Sequence, residues 1–123
     1  MVAAEIRGKT FPLCLTVAAL DQLTAKCGGL KGLTAFLTGD GSSTRAMVNM
    51  AWMLGLLITE GEEHRLMEAR FSGEKAERIA VPGSADIAHL LTGGEIQRYY
   101  GLVWQAVNES LRQTIEAEPG KNG

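Results

Sequence analysis

Little in this chain points to covalent or metal chemistry. Two cysteines, Cys14 and Cys27, occur in 123 residues, with no Cys-x-x-Cys and no Cys/His cluster around them. Neither a disulfide framework nor a structural zinc site is expected, and the two thiols read as small buried hydrophobes in a reducing compartment. Basic runs are absent too: the 12 lysines and arginines are scattered singly from Arg7 to Lys121, and the formal net charge is −2. A general affinity for nucleic acid or acidic lipid is therefore not expected. Nor is there a long hydrophobic run. The most apolar stretch, residues 46–58, contains Asn49 and Gly55 and falls short of the ~20 residues of a spanning helix. The opening Met-Val-Ala-Ala is interrupted by Glu5 and Arg7, so no signal peptide is expected. No membrane partner is expected, and the cytoplasm is the expected location.

What is present describes one ordinary globular domain. Hydrophobic residues make up 46% and charged residues 21% of the chain, within the globular range. The spacing predicts a mainly α fold: a small helical domain over residues 1–118 with a short N-terminal β-hairpin, then a disordered tail at 119–123. Ala4 to Arg7 reads as one strand and Phe11 to Leu15 as the next, with Phe11, Leu13 and Leu15 alternating inward. Gly8 and Lys9 supply the turn, and Pro12 confines the second strand to an edge. Thr16 caps a helix that carries Val17, Leu20, Leu23 and Cys27 on one face and stops at Gly28-Gly29. A short helix from Leu30 to Thr38 follows, with Leu30, Leu33 and Leu37 on one side.

Ser42 or Ser43 then caps a central helix running to about Glu60. Its apolar arc, built from Met47, Met50, Leu54 and Leu57 and widened by Ala46, Met53, Leu56 and Ile58, is nearly complete, as in a helix buried on several sides. Gly61 is the expected break or kink before a charged helix, Glu62 to Phe71. Residues 72–80 read as loop or fraying turn. Ser84 caps a short helix ended by Gly93-Gly94. The last helix runs from Glu95 to about Glu116, with Ile96, Tyr99 or Tyr100, Val103, Val107, Leu111 and Ile115 as its apolar face.

Candidate chemistry is sparse. His64 and Glu68 share a helix face, but no further His or Cys completes a metal shell, so a solvated charged face is the simpler reading. His89 reads as a half-buried surface histidine. Gly8-Lys9-Thr10 matches the end of a phosphate-binding loop, yet the required upstream glycine is replaced by Ala3 and no helix follows directly. No nucleophile, base and orienting group come together in sequence. No catalytic residue, cofactor or metal is expected, and a small helical enzyme is the least favoured reading.

Methionine gives a sharper signal. Met47, Met50 and Met53 fall within two helical turns, with Trp52 among them. Core packing is one reading. The other is an adaptable binding surface, because an unbranched thioether refits to different partners. Trp104 on the last helix carries the same ambiguity.

The run Glu5-Ile6-Arg7-Gly8-Lys9-Thr10-Phe11-Pro12-Leu13-Cys14-Leu15-Thr16, continuing through Val17-Ala18-Ala19-Leu20-Asp21-Gln22-Leu23, resembles the start of the tail assembly chaperones of long-tailed phages, prophages and gene transfer agents. These open with a short strand, a Gly-x-x turn, an apolar strand ending in Thr, and a helix beginning with an Ala-Leu pattern. Beyond this run the likeness is one of helical character, length and spacing. The resemblance implies a protein that binds the tape measure protein, keeps it soluble and recruits tail tube subunits. Self-association is expected as well, since apolar positions outnumber what one small core covers. Within that reading Met50, Met53 and Trp104 are the candidate partner-binding residues. The alternative is a connector or tail-completion protein of a phage or mobile element.

Overall fold

The chain opens with a tight hairpin. Strands β1 (Ala3–Ile6) and β2 (Lys9–Pro12) pair antiparallel, with Ile6 opposite Lys9 and Ala3 opposite Pro12. The structure, a computed structural model, describes residues 1–116, with side chains as far as Arg112. The predicted tail at 119–123 and the side chain of Ile115 lie outside the described residues. The hairpin turn is Arg7-Gly8, with φ of 52° and 81°, the doubly left-handed geometry that suits a two-residue connection. It sits one residue earlier than Gly8-Lys9, because Lys9 is already paired. Arg7 is anchored through its guanidinium, which donates to Glu95 at 2.7 Å and to the Leu90 carbonyl at 3.1 Å.

Pro12 ends the ladder, so only Phe11 of the alternating apolar set lies in a strand. Leu13 and Leu15 continue inward all the same. The Leu13 N–H donates to Val2 and the Cys14 N–H to the Leu57 carbonyl, which stitches the extended segment onto the central helix.

Helix α1 (Val17–Cys27) is capped at both ends as its sequence predicts. The Thr16 hydroxyl oxygen accepts from the Ala19 N–H at 3.0 Å and donates to Glu60 at 2.5 Å, and Gly28 takes the left-handed conformation. Its buried face is Ala19 and Leu23. Val17, expected on that face, is 84% exposed, because the first helical residue here turns away from the neighbouring helix. Residues 30–38 form two pieces, a 3₁₀ turn (Leu30–Gly32) and α2 (Leu33–Thr38). The division falls at Gly32, where the Cys27 carbonyl oxygen would lie 2.0 Å from any Cβ. Leu33 and Leu37 are buried, whereas Leu30 is exposed.

Helix α3 (Ser43–Phe71) is a single element of 29 residues, about 43 Å long at 1.5 Å per residue. Ser42 caps it by accepting from the Arg45 N–H. The expected break at Gly61 does not occur. A Cβ at Gly61 would sit 1.9 Å from the Pro12 carbonyl oxygen, and one at Gly55 would sit 2.4 Å from the Ser84 backbone. These glycines admit neighbouring backbone against the helix rather than ending it.

Beyond a coil at 74–83, α4 (Ser84–Leu90) begins at Gly83, whose N–H is accepted by Asp86. Ser84, expected to be the cap, instead donates its hydroxyl to the Trp52 carbonyl at 2.6 Å. Thr92 and Glu95 then form a reciprocal cap on α5 (Gly93–Ile96). The pair Gly93-Gly94 therefore opens a helix instead of terminating one. A 3₁₀ turn (Gln97–Tyr99) leads into α6 (Tyr100–Glu116).

The assembly is a small mainly α domain with an N-terminal hairpin, as predicted, built around α3. That helix packs against α1, α2, α4, α5, α6 and β2, and its Met53, Leu54 and Leu57 are 0% exposed. Among the described residues no helix is long and apolar enough to cross a membrane.

Candidate functional site

The N-terminal half of α3 presents an apolar cleft. Leu37 and Thr38 of α2 form one wall, Ser43, Ala46, Met47 and Met50 of α3 the floor, and Ile96, Gln97 and Tyr100 the opposite wall, enclosing about 440 Å³. A smaller recess of about 190 Å³ lies on the far side of Met47, between α3 and the residues Ile87, Ala88, Leu91 and Gly93. Met47 and Ile96 line both and separate them. Met47 meets α5 and the turn after it. Its sulfur accepts from the Gln97 amide at 3.9 Å, and a Cβ at Gly93 would approach that sulfur to 3.0 Å. The glycine that opens α5 thus makes room for the thioether.

The three residues singled out in sequence are not brought together here. Met50 is 3% exposed and contributes only its edge to the cleft floor, while Met53 is 0% exposed and belongs to the core. Trp104 is half-buried on α6, packed against the same core. In this conformation a partner reaches Met47, the third methionine of the cluster, before it reaches Met50 or Met53. Position along the helix decides this: Met47 lies in the first turns of α3 and lines the cleft, whereas Met53 lies wholly within the core. Tyr100, 39% exposed, and Gln97 were missed as site residues because they read as parts of one continuous final helix. The turn of 3₁₀ helix that aims them at Met47 leaves no signal in the spacing. Trp52, also of the cluster, is half-buried on another side. It meets Phe36 edge-to-face at 5.6 Å, with the Lys26 ammonium 5.3 Å from its ring centre.

Polar groups cluster elsewhere. On the second half of α3, Glu62 is 4% exposed and accepts from the Arg65 guanidinium at 2.9 and 2.7 Å and from the Ile79 N–H at 2.7 Å. Arg65, and to a smaller degree the Ile79 N–H and Arg78, hold this carboxyl below its usual range. The solvated charged face expected around His64 therefore does not reach back to Glu62. His64 itself is half-buried, its ring 3.8 Å from the exposed Glu68. His89 is exposed rather than half-buried, since the buried side of α4 is carried by Ile87. Gly8 lies in the hairpin turn and Lys9 and Thr10 belong to β2, so the tripeptide that mimics a phosphate loop runs from a turn into a strand and opens no helix. Both cysteines are free, and burial pushes the Cys14 thiol up from its ordinary value, which disfavours the thiolate. Among the described residues no group of three or more His, Cys, Asp or Glu is placed to hold a metal ion.

No protein-family model, curated protein or solved structure matches this chain.

Proposed function

We propose that this chain is a phage-type tail assembly chaperone: a non-catalytic cytoplasmic protein that binds a tape measure protein and helps recruit tail tube subunits. The observation that carries the reading is the opening run, Glu5 to Leu23, whose strand, turn, apolar strand, Thr and Ala-Leu helix resemble the start of that family. The cleft beside Met47 is compatible with it. A chaperone of a long helical client needs apolar surface that is covered reversibly, and a thioether wall accommodates irregular side chains better than branched residues do. The proposed contact surface is accordingly Met47 and Tyr100 with the edge of Met50, and Trp104 is the candidate anchor on α6.

Co-expression with the product of a tape measure gene, should one lie beside its own gene, tests the reading. The expected outcome is a soluble complex that retains the tape measure through affinity purification, with the chain itself absent from finished particles by mass spectrometry. Stoichiometric presence in finished particles would replace this reading with a connector or tail-completion protein.

A further inference from the structure

Residues 74–83 cross the second half of α3 without regular structure, and residues 72–80 are all exposed. Their hold on the helix is almost wholly polar. The Ile79 N–H donates to Glu62 at 2.7 Å, Arg65 donates to the Glu77 carbonyl at 2.7 Å, and Arg78 pairs with Glu63. Ile79 leaves its side chain 55% exposed, and Val81 alone in this stretch packs against the core as a partly buried hydrophobe. Glu62 contrasts with the segment that touches it, being buried and central to the attachment. Between the segment and the hairpin lies a cleft of about 540 Å³ with Phe11 and Ile58 in its walls. A segment with few buried apolar contacts, held by exposed hydrogen bonds at Glu77 and Arg78 and one part-buried bond at Ile79, belongs to the part of a fold that opens locally.

We propose that residues 75–81 are a strap latched to α3 through Glu62, which opens as a unit while the helices stay folded, and that protonation of Glu62 opens it. The charged groups facing the latch among the described residues come from three elements: Arg65 and Glu63 from α3, Arg78 from the strap, and Lys9 of β2, which lines the same cleft. As a carboxylate, Glu62 accepts from Arg65 and from the strap's Ile79 N–H together. Once protonated it loses the charge that orients both donors, and Arg65 in turn loses the orientation that places it on the Glu77 carbonyl. The open strap leaves Glu62 without its Ile79 donor and farther from Arg78, so its proton affinity is higher in the open state. The sign follows: the latch holds above the ordinary carboxylate value of 4.5 and weakens as the pH falls below it. Glu63, released from Arg78, adds a smaller contribution in the same direction.

Native-state amide exchange on the full chain tests the strap, read at Ile79 against Leu54 and Leu57 and corrected for intrinsic rates. In the wild type the protection of Ile79 is expected to fall by up to about tenfold per pH unit below 4.5, the linkage of one proton, and at every pH to lie far below that of Leu54 and Leu57, which open only with the helices. In Glu62→Gln, Ile79 protection should be low already at neutral pH, with most of the pH dependence gone and the helical circular dichroism retained. Trypsin should then cut after Lys75 and Arg78 at least about tenfold faster than in the wild type. Ile79 protected as strongly as Leu54 and Leu57 at every pH, the mark of one common opening, would overturn the proposal, as would a Glu62→Gln protein with unchanged Ile79 exchange. Should that variant not fold, the wild-type titration decides alone.

Discussion

The two halves of α3 share one unbroken hydrogen-bonded helix and almost nothing else. In the first, Met53, Leu54 and Leu57 are 0% exposed and α2, α4, α5 and α6 close around them; in the second, Met67 is 54% and Phe71 96% exposed. Isolated helices gain little from propensity alone, so the first half is held by what packs on it. The second half continues from that nucleus with local support. Glu62 and Arg65 pair at i, i+3, His64 and Glu68 sit at i, i+4, and the strap adds the Arg78–Glu63 pair. One helix thus serves as a core rod at one end and as a projecting polar arm at the other, with Gly61 at the junction.

The largest expected effect lies in the rod. Leu54→Ala removes a side chain with no exposed surface and should destabilise the protein by about 2–5 kcal/mol, read by denaturant unfolding. A loss well under 1 kcal/mol would mean that the first half is no more buried than the second. Next comes the junction. Gly61→Ala places a methyl 1.9 Å from the Pro12 carbonyl oxygen, and a carbonyl held by its own strand has little room to retreat. A net cost of about 1–3 kcal/mol is expected, despite the ~1 kcal/mol of helix propensity that alanine gains over glycine. Stabilisation instead would show that the hairpin stands farther from α3.

The same contrast separates what was legible in sequence from what was not. Local signals were read correctly: Thr16 and Gly28 at the ends of α1, Ser42 before α3, and the inward turn of Phe11, Leu13 and Leu15. Each rests on chemistry within a few residues of the chain. Gly61, Gly55 and Gly93 were not legible, because their reasons are Pro12, Ser84 and Met47, which lie far away in sequence. A glycine that admits a neighbour's backbone looks in sequence like one that breaks a helix. The burial of Glu62 was not legible for the same cause, since its partner at Ile79 lies 17 residues later in a stretch without regular structure. In the cleft, the methionine cluster was visible, but which methionine faces outward depended on where α4 and α6 land.

A smaller effect tests whether the hairpin is tied to the helical body by charge. The Arg7 guanidinium, with help from the Thr92 N–H, holds the Glu95 carboxyl at about 2. The lowered value means that this contribution to stability is complete above about 4.5 and is lost as the pH falls toward 2. Both side chains are partly exposed, 51% and 27%, so solvent screens the pair and the effect is modest. Arg7→Ala should lower the melting temperature slightly at neutral pH, and the difference from the wild type should shrink as the pH drops through that window. A constant difference down to pH 2 would assign the loss to the turn backbone, where Arg7 has φ of 52°, and not to the ion pair.

The smallest effect is expected at the tip of the arm. Phe71 is 96% exposed and closes α3, so Phe71→Ala removes no burial within one chain and exchanges an aromatic for a better helix former. The stability of the monomer should change by no more than about 0.5 kcal/mol. The self-association expected from the apolar composition makes a competing demand. A second copy packed on the arm would bury Phe71 and Met67 together, and the substitution would then lower the melting temperature by an amount that grows with protein concentration. Sedimentation of wild type and variant across a concentration series separates the two outcomes. If the variant stays monomeric where the wild type dimerises, the arm is an interface and the contrast between the halves of α3 belongs to the free monomer alone. If both sediment alike and melt alike, self-association, if present, uses another surface, and the apolar cleft beside Met47 is the next face to probe, by Met47→Lys.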